Sequence, residues 1–160
     1  MPASLEGRRV IVLGSTTGIG RATALCLAEA GANVIIHGKN SRGAAQNVAA
    51  EVRRVGPEAH VMLADLADPD QADRFLDAAW NLWGGLDAWV HFAGADVLTG
   101  PNAKLGYDEK LDLLWKVDVL PTIRLTREVG RRMKARGSGS IVTMGWDQAE
   151  TGMEGESGEM

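Results

Sequence analysis

Val10-Ile11-Val12-Leu13-Gly14-Ser15-Thr16-Thr17-Gly18-Ile19-Gly20-Arg21 is the stretch that decides the fold. It opens as an apolar, largely β-branched run, passes through three glycines at spacing Gly-x-x-x-Gly-x-Gly, and leads into apolar residues at helical period. Strand, tight turn and helix N-terminus in that order make a place to hold phosphate. The unpaired amides of a first helical turn carry partial positive charge, and glycine lets a pyrophosphate approach the backbone and the helix pack closely on the strand.

Outward from there, strands and helices alternate. Ile19, Ala22, Cys26 and Ala30 fall three and four apart and predict a first helix with these residues facing inward, closed by Gly31. Residues 33–37 read as a second strand, whose Val34-Ile35-Ile36 run suits burial on both faces of a parallel sheet. A polar, alanine-rich helix spans about 41–55 and stops at Gly56-Pro57; a short strand follows at about 60–63. Asp68-Pro69 opens a third helix in cap and first-turn order, with Ala72, Phe75, Leu76, Ala79 and Trp83 as its inward stripe and Gly84-Gly85 as its end.

Residues 86–92 form the fourth strand, and 95–106 a loop of a length that often carries function. A helical pattern then runs from about Tyr107 toward Arg136, with Leu111, Leu114, Trp115, Asp118, Thr122, Leu125 and Val129 on one face. Pro121 must kink that pattern or split it in two, because it removes a backbone donor. Gly137-Ser138-Gly139 breaks it, residues 140–144 make a fifth strand, and 145–160 show no periodicity. Alternation at this spacing implies right-handed β-α-β units in a doubly wound parallel sheet, an α/β fold.

With 160 residues, 45% of them hydrophobic, the chain suits one domain with a sizeable core. A formal charge of -4, with cations and acids interspersed, argues against nucleic acid or an anionic membrane as partner and favours a small molecule. Cys26 is the only cysteine, which excludes disulfides within the chain, and its place in the first helix predicts a buried thiol. The first nine residues lack the apolar core of a signal peptide and no run of about 18 apolar residues occurs, so a soluble, cytoplasmic protein is expected. His37, His60 and His91 fall on three strands without ligand spacing, so no metal site is expected. Trp80, Trp83, Trp89 and Trp115 read as core or interface residues.

Five positions together resemble the short-chain dehydrogenase/reductases, especially their three-oxoacyl-carrier-protein reductase-like members, over essentially the whole chain. They are Gly14 to Gly20, Asp65-Leu66 after the third strand, Ala93-Gly94 after the fourth, Lys116-Val117-Asp118-Val119 in the long helix, and Gly139-Ser140-Ile141-Val142 at the fifth strand. The resemblance implies a Rossmann fold, an α-β-α sandwich that binds NAD(P). It implies hydride transfer between nicotinamide and a carbonyl or alcohol on a small-molecule substrate, and a homo-oligomer, dimer or tetramer. Gly14, Ser15, Thr16, Thr17, Gly18, Ile19, Gly20, Gly38, Lys39, Asn40, Arg42, Asp65, Leu66, Ala93 and Gly94 become the cofactor-binding residues.

Each site has a plainer reading beside that one. Asp65 accepts a hydrogen bond from the adenine amine, or is a turn aspartate before Asp68-Pro69. His37-Gly38-Lys39-Asn40-Ser41-Arg42 offers no carboxylate for ribose hydroxyls, whereas Lys39 and Arg42 suit a 2'-phosphate, so NADP is expected over NAD; otherwise this is a solvated loop.

The resemblance weakens on the catalytic side. Trp146 stands at the family's serine position, the tyrosine position falls near Glu159 or beyond Met160, and Tyr107, the only tyrosine, has its lysine three residues on. His91-Phe92 replaces the usual asparagine pair. Asp118 stands at the asparagine position and, ionised, only accepts hydrogen bonds; alternatively it caps a helix restarting near Pro121. Two functions follow. One is an NADP-preferring short-chain oxidoreductase, or its N-terminal cofactor half, with 1–160 a single domain incomplete at the C-terminus. The other is a catalytically silent nucleotide-binding module, a sensor or partner subunit.

Overall fold

The computed structural model describes residues 4–145. Five strands, β1 (Arg9–Leu13), β2 (Asn33–Gly38), β3 (Ala59–Leu63), β4 (Ala88–His91) and β5 (Ser140–Thr143), form one sheet in the order β3-β2-β1-β4-β5. All four pairings are parallel. Helices α1 (Gly18–Glu29), α2 (Arg42–Val55), α3 (Pro69–Leu82), α4 (Tyr107–Leu114) and α5 (Leu120–Arg136) connect them. The doubly wound sheet read from the sequence is therefore present, with strand ends moved by one or two residues.

Side-chain alternation along the strands divides the core in two. Val10, Val12, Val34, Ile36 and Val90 pack under α1 and α2 with Ala24, Ala28, Val48 and Val52. Ile11, Leu13, Ile35 and Trp89 pack under α3 and α5 with Phe75, Leu76, Leu125 and Val129. Full burial of a Val, Ile or Leu contributes roughly 1.5–3 kcal/mol over exposure, so this apolar alternation outweighs any local propensity in fixing which helix lies on which face.

Two local devices set the frame. Asp68 caps α3 by accepting from the Asp70 and Gln71 amides at 2.9 and 3.1 Å, with Pro69 in the first turn. At the amino ends of β1 and β4, the Arg9 Nε donates to Asp87 at 2.9 Å, and the guanidinium beside it holds the Asp87 carboxyl down to about 2.

The structure corrects two expectations. The inward face of α1 is Gly20, Ala24 and Ala28, while Ile19, Ala22 and Cys26 are exposed, so the Cys26 thiol is not buried. The cause is Gly20, where a Cβ would overlap the Gly14 carbonyl oxygen; the close approach turns the small-residue ridge, not the larger residues, onto the sheet.

Second, the long helix is split, as expected from Pro121, but by a π-helical segment, Trp115–Val119, in which the Leu120 amide donates to the Trp115 carbonyl, and this breaks the single inward stripe. Pro121 has no N–H for the carbonyl four residues back, and the wider turn absorbs the break. One inserted residue rotates the helix face by about 100°. Pro121, Leu125, Val129 and Met133 therefore face the core, while Leu111 and Trp115 are 52% and 51% exposed instead of continuing their stripe.

Of the tryptophans read as core or interface, Trp89 is fully buried, Trp80 and Trp83 pack half-buried, and Trp115 is exposed. None of the described helices is long and apolar enough to cross a membrane.

Candidate functional site

Sheet order reverses at β1: the chain runs outward through β2 and β3, then returns to β4 on the other side. The carboxyl ends of β1 and β4 thus diverge into the crevice where such sheets take ligands. A cleft of about 280 Å³ opens there. Gly14, Thr16 and Thr17 line it from the first turn, Gly38 and Lys39 from the end of β2, Asp65 and Leu66 from beyond β3, and Ala93 and Gly94 from beyond β4. Nine of the sequence-derived cofactor residues are thereby brought together. A wider groove of about 780 Å³ between α3 and α5 is lined by matched charges, Arg124 with Asp73 and Arg132 with Asp77, and reads as solvated helix surface.

Backbone geometry explains the glycines. Gly14 has φ +72°, and a Cβ on it would lie 2.8 Å from the Ala93 nitrogen, so the ends of β1 and β4 touch only because that atom is missing. Gly18 has φ +53° and open space around its Cα, at the head of α1. Thr17, the N-cap, makes no side-chain cap hydrogen bond, and α1 has no acid in its first turn. Helix α3 has both, in Asp68 and Asp70. The amides and positive dipole end of α1 are thus left without a side-chain counterpart among the described residues, and the cradle fits a diphosphate.

His37, Ala64, Ala67, Phe92 and Val117 also line the cleft, and no motif had assigned them to it. His37 is the most informative. Its Nδ1 accepts from the Gly14 amide at 3.2 Å, and its Nε2 lies 3.1 Å from the Ala64 carbonyl, which places the proton on Nε2. Burial pushes its pKa down to about 4, so the ring is neutral at ordinary pH. Ser15 does not line the cleft; it is buried behind it, with Oγ accepting from the His37 amide at 3.0 Å. The sequence signal was a polar side chain closing an otherwise apolar strand.

Around the rim, Asp65 Oδ1 accepts from the Ala67 amide at 3.1 Å, as a turn aspartate does, while Oδ2 pairs with Lys39 Nζ at 2.8 Å. Asn40, Arg42, Gly18 and Ile19 are exposed and outside the cleft lining, and Gly20 is outside it too, buried against the turn. Asp118 sits half-buried in the π segment, its Oδ1 accepting from the Ala95 amide at 2.7 Å. Burial raises its carboxyl above the ordinary value. It does not cap the restarting helix, since the first turn of α5 has no side-chain cap; it clamps the loop after β4 to the helix instead.

His91 is buried beneath this loop, Nε2 to Thr122 Oγ1 at 3.2 Å, and desolvation lowers it to about 4. Trp146 lies outside the described residues.

Comparison with known proteins agrees with this geometry. The profile of the short chain dehydrogenase family matches residues 8–157. Over 146 residues the chain is 34% identical to a short-chain type dehydrogenase/reductase of Picea abies, covering 88% of this chain and 54% of that protein. It is 31% identical over 164 aligned positions to NADPH-dependent aldehyde reductase 2, chloroplastic, of Arabidopsis thaliana, covering 94% and 59%. Among solved structures, a 7 alpha-hydroxysteroid dehydrogenase complexed with NADH and 7-oxo glycochenodeoxycholic acid superposes with a TM-score of 0.80 at 27% identity, covering 92% of this chain and 56% of that one. The chain spans about half the length of the curated relatives it matches.

Proposed function

The chain belongs to the short-chain dehydrogenase family, and from that premise we propose that it is the nucleotide-binding part of an NADP-preferring oxidoreductase acting on a small carbonyl or alcohol. The observation that carries the reading is the uncapped N-terminus of α1 opening on the crevice at the sheet's reversal. When bound, the nicotinamide supplies or takes up the hydride. Everything else asked of this chain is binding and orientation. The amides from Gly14 to Gly20 grip the diphosphate, Asp65 receives the adenine amine, and Ala93 and Gly94 form the wall beside the second ribose. Asp118 holds that wall in place through the Ala95 amide.

The preference for NADP rests on charge. No carboxylate occurs between His37 and Arg42, and Lys39 stands at the rim of the cleft with its side chain 57% exposed. One relative is named for NADPH and one solved neighbour holds NADH, so the family uses both and the local residues must choose. Assembly into a homo-oligomer is supported by Tyr107, Leu111, Trp115 and Ile123, each more than half exposed along α4, the π segment and α5.

Calorimetric titration of the chain with NADPH and NADH tests the reading. Tighter binding of NADPH by tenfold or more is expected; failure to bind either nucleotide overturns it.

A further inference from the structure

Glycine makes the phosphate turn possible and also leaves it loose. Gly14 sits at φ +72° with no Cβ to bar the alternatives, so its own backbone does not choose the conformation that closes the cradle. The choice is made from outside. The Gly14 amide donates to Nδ1 of His37 at 3.2 Å, the Ser15 amide donates to the His37 carbonyl at 3.0 Å, and the His37 amide donates to Ser15 Oγ at 3.0 Å. Two consecutive turn residues are thus tied to a single residue of β2.

The ring that does this is itself held. Phe75 of α3 packs against it with 4.9 Å between centroids and 63° between planes, and Nε2 reaches the Ala64 carbonyl at 3.1 Å. With the proton on Nε2, Nδ1 presents its lone pair to the Gly14 N–H. The main-chain bonds to Ser15 are open to any residue at this place in β2. The bond to Gly14 is open only to one that carries an acceptor where Nδ1 stands.

We infer that His37 is a positioning residue for the nucleotide diphosphate: Nδ1 fixes the Gly14 peptide so that the amides at the head of α1 stay aimed into the cleft, while Nε2 serves only to hold the ring. This rests on the cofactor reading above. His37 acts through Gly14 and needs no contact with the ligand. Without the acceptor the Gly14 peptide populates other conformations, and the apparent affinity falls with the fraction of chains whose turn remains set. One neutral hydrogen bond corresponds to a loss of about three- to tenfold.

Side-chain amides separate the two nitrogens, since asparagine places its oxygen near the position of Nδ1 and glutamine places its nitrogen near that of Nε2. ADP-ribose, which carries the diphosphate, is titrated calorimetrically into the wild-type chain, His37→Asn and His37→Gln, with a thermal melt of each. Both variants give up one of the two ring hydrogen bonds and should melt below the wild type by similar amounts. His37→Asn should bind ADP-ribose to within about twofold of the wild type, and His37→Gln about three- to tenfold more weakly. His37→Gln binding as tightly as the wild type, or His37→Asn binding as weakly as His37→Gln, overturns the inference and leaves the cofactor reading standing. A wild-type chain that does not bind ADP-ribose overturns both. Should a variant fail to fold, hydrogen exchange on the wild-type chain without nucleotide decides: the Gly14 amide should exchange about a hundredfold or more slowly than that of exposed Gly18, and similar rates overturn the inference.

Discussion

The Gly14 amide donates to Nδ1 of His37 at 3.2 Å, so a side chain from β2 holds the first residue of the phosphate turn. The other ring nitrogen reaches the Ala64 carbonyl beyond β3 at 3.1 Å. One neutral imidazole joins three strand ends beneath the cleft, and protonation would turn its acceptor into a donor facing the Gly14 N–H.

Acid should therefore loosen the fold well before the carboxylates titrate. Burial holds His37 and His91 down to about 4, against an ordinary value of 6.5. The unfolded chain binds these protons more readily, so the stability is complete above about pH 6.5 and is lost as pH falls toward about 4. Urea unfolding should show a loss of about 2 kcal/mol per histidine between about pH 7 and pH 5. His37→Asn should remove about half of that slope, leaving the share of His91. A stability flat across the interval contradicts the account.

The contact between α1 and the turn depends on a missing atom. A Cβ on Gly20 would overlap the Gly14 carbonyl oxygen, and backbone on both sides cannot yield without opening the cradle. Gly20→Ala should cost about 2 kcal/mol or more and weaken NADPH binding. Gly43→Ala, inside α2 with open space around it, should instead stabilise by up to about 1 kcal/mol through helix propensity alone. Thermal melts of the two variants compare the effects directly.

What could be read beforehand, and what could not, divides along physical lines. Runs such as Val34-Ile35-Ile36 and breaks such as Asp68-Pro69 act locally, and the order of strands and helices followed from them. The face that α1 turns inward was not local: it is set by the approach of Gly20 to Gly14, and small residues carry no hydrophobic signal to reveal it. The stripe from Leu111 through Trp115 to Val129 failed for a related reason, since the π segment shifts its phase in mid-helix. Nine cleft residues were legible because motif and turn coincide. His37 was not, because its partners Gly14 and Ala64 are 23 and 27 residues away.

At the opposite end of the sheet, Asp87 is held by Arg9 through Nε and by the Arg9 amide, both at 2.9 Å, with Arg136 at 3.2 Å. Asp87→Ala takes the carboxylate from two guanidinium groups, which keep only backbone carbonyls, and should cost about 2 kcal/mol, between the values for surface and buried pairs. The carboxyl is held down to about 2 from 3.8, so its contribution is full above about pH 4 and is lost as pH falls toward about 2. Acid unfolding of the variant should lack that last step.

Asp118 separates geometry from charge. Its Oδ1 accepts from the Ala95 amide at 2.7 Å, and burial raises its carboxyl, so the folded chain takes up that proton more readily than the unfolded one. Ionisation thus costs stability as pH rises from 3.8 through the raised value. Asp118→Asn keeps the acceptor and removes the charge; at neutral pH it should match or exceed the parent by up to about 1 kcal/mol, the screened figure for a half-exposed carboxyl. Asp118→Ala orphans the Ala95 amide, should cost about 1 kcal/mol and should weaken NADPH binding by loosening the loop after β4. Equal losses in both variants would mean that the negative charge itself, not the hydrogen bond, holds Gly94 and Ala95 at the cleft.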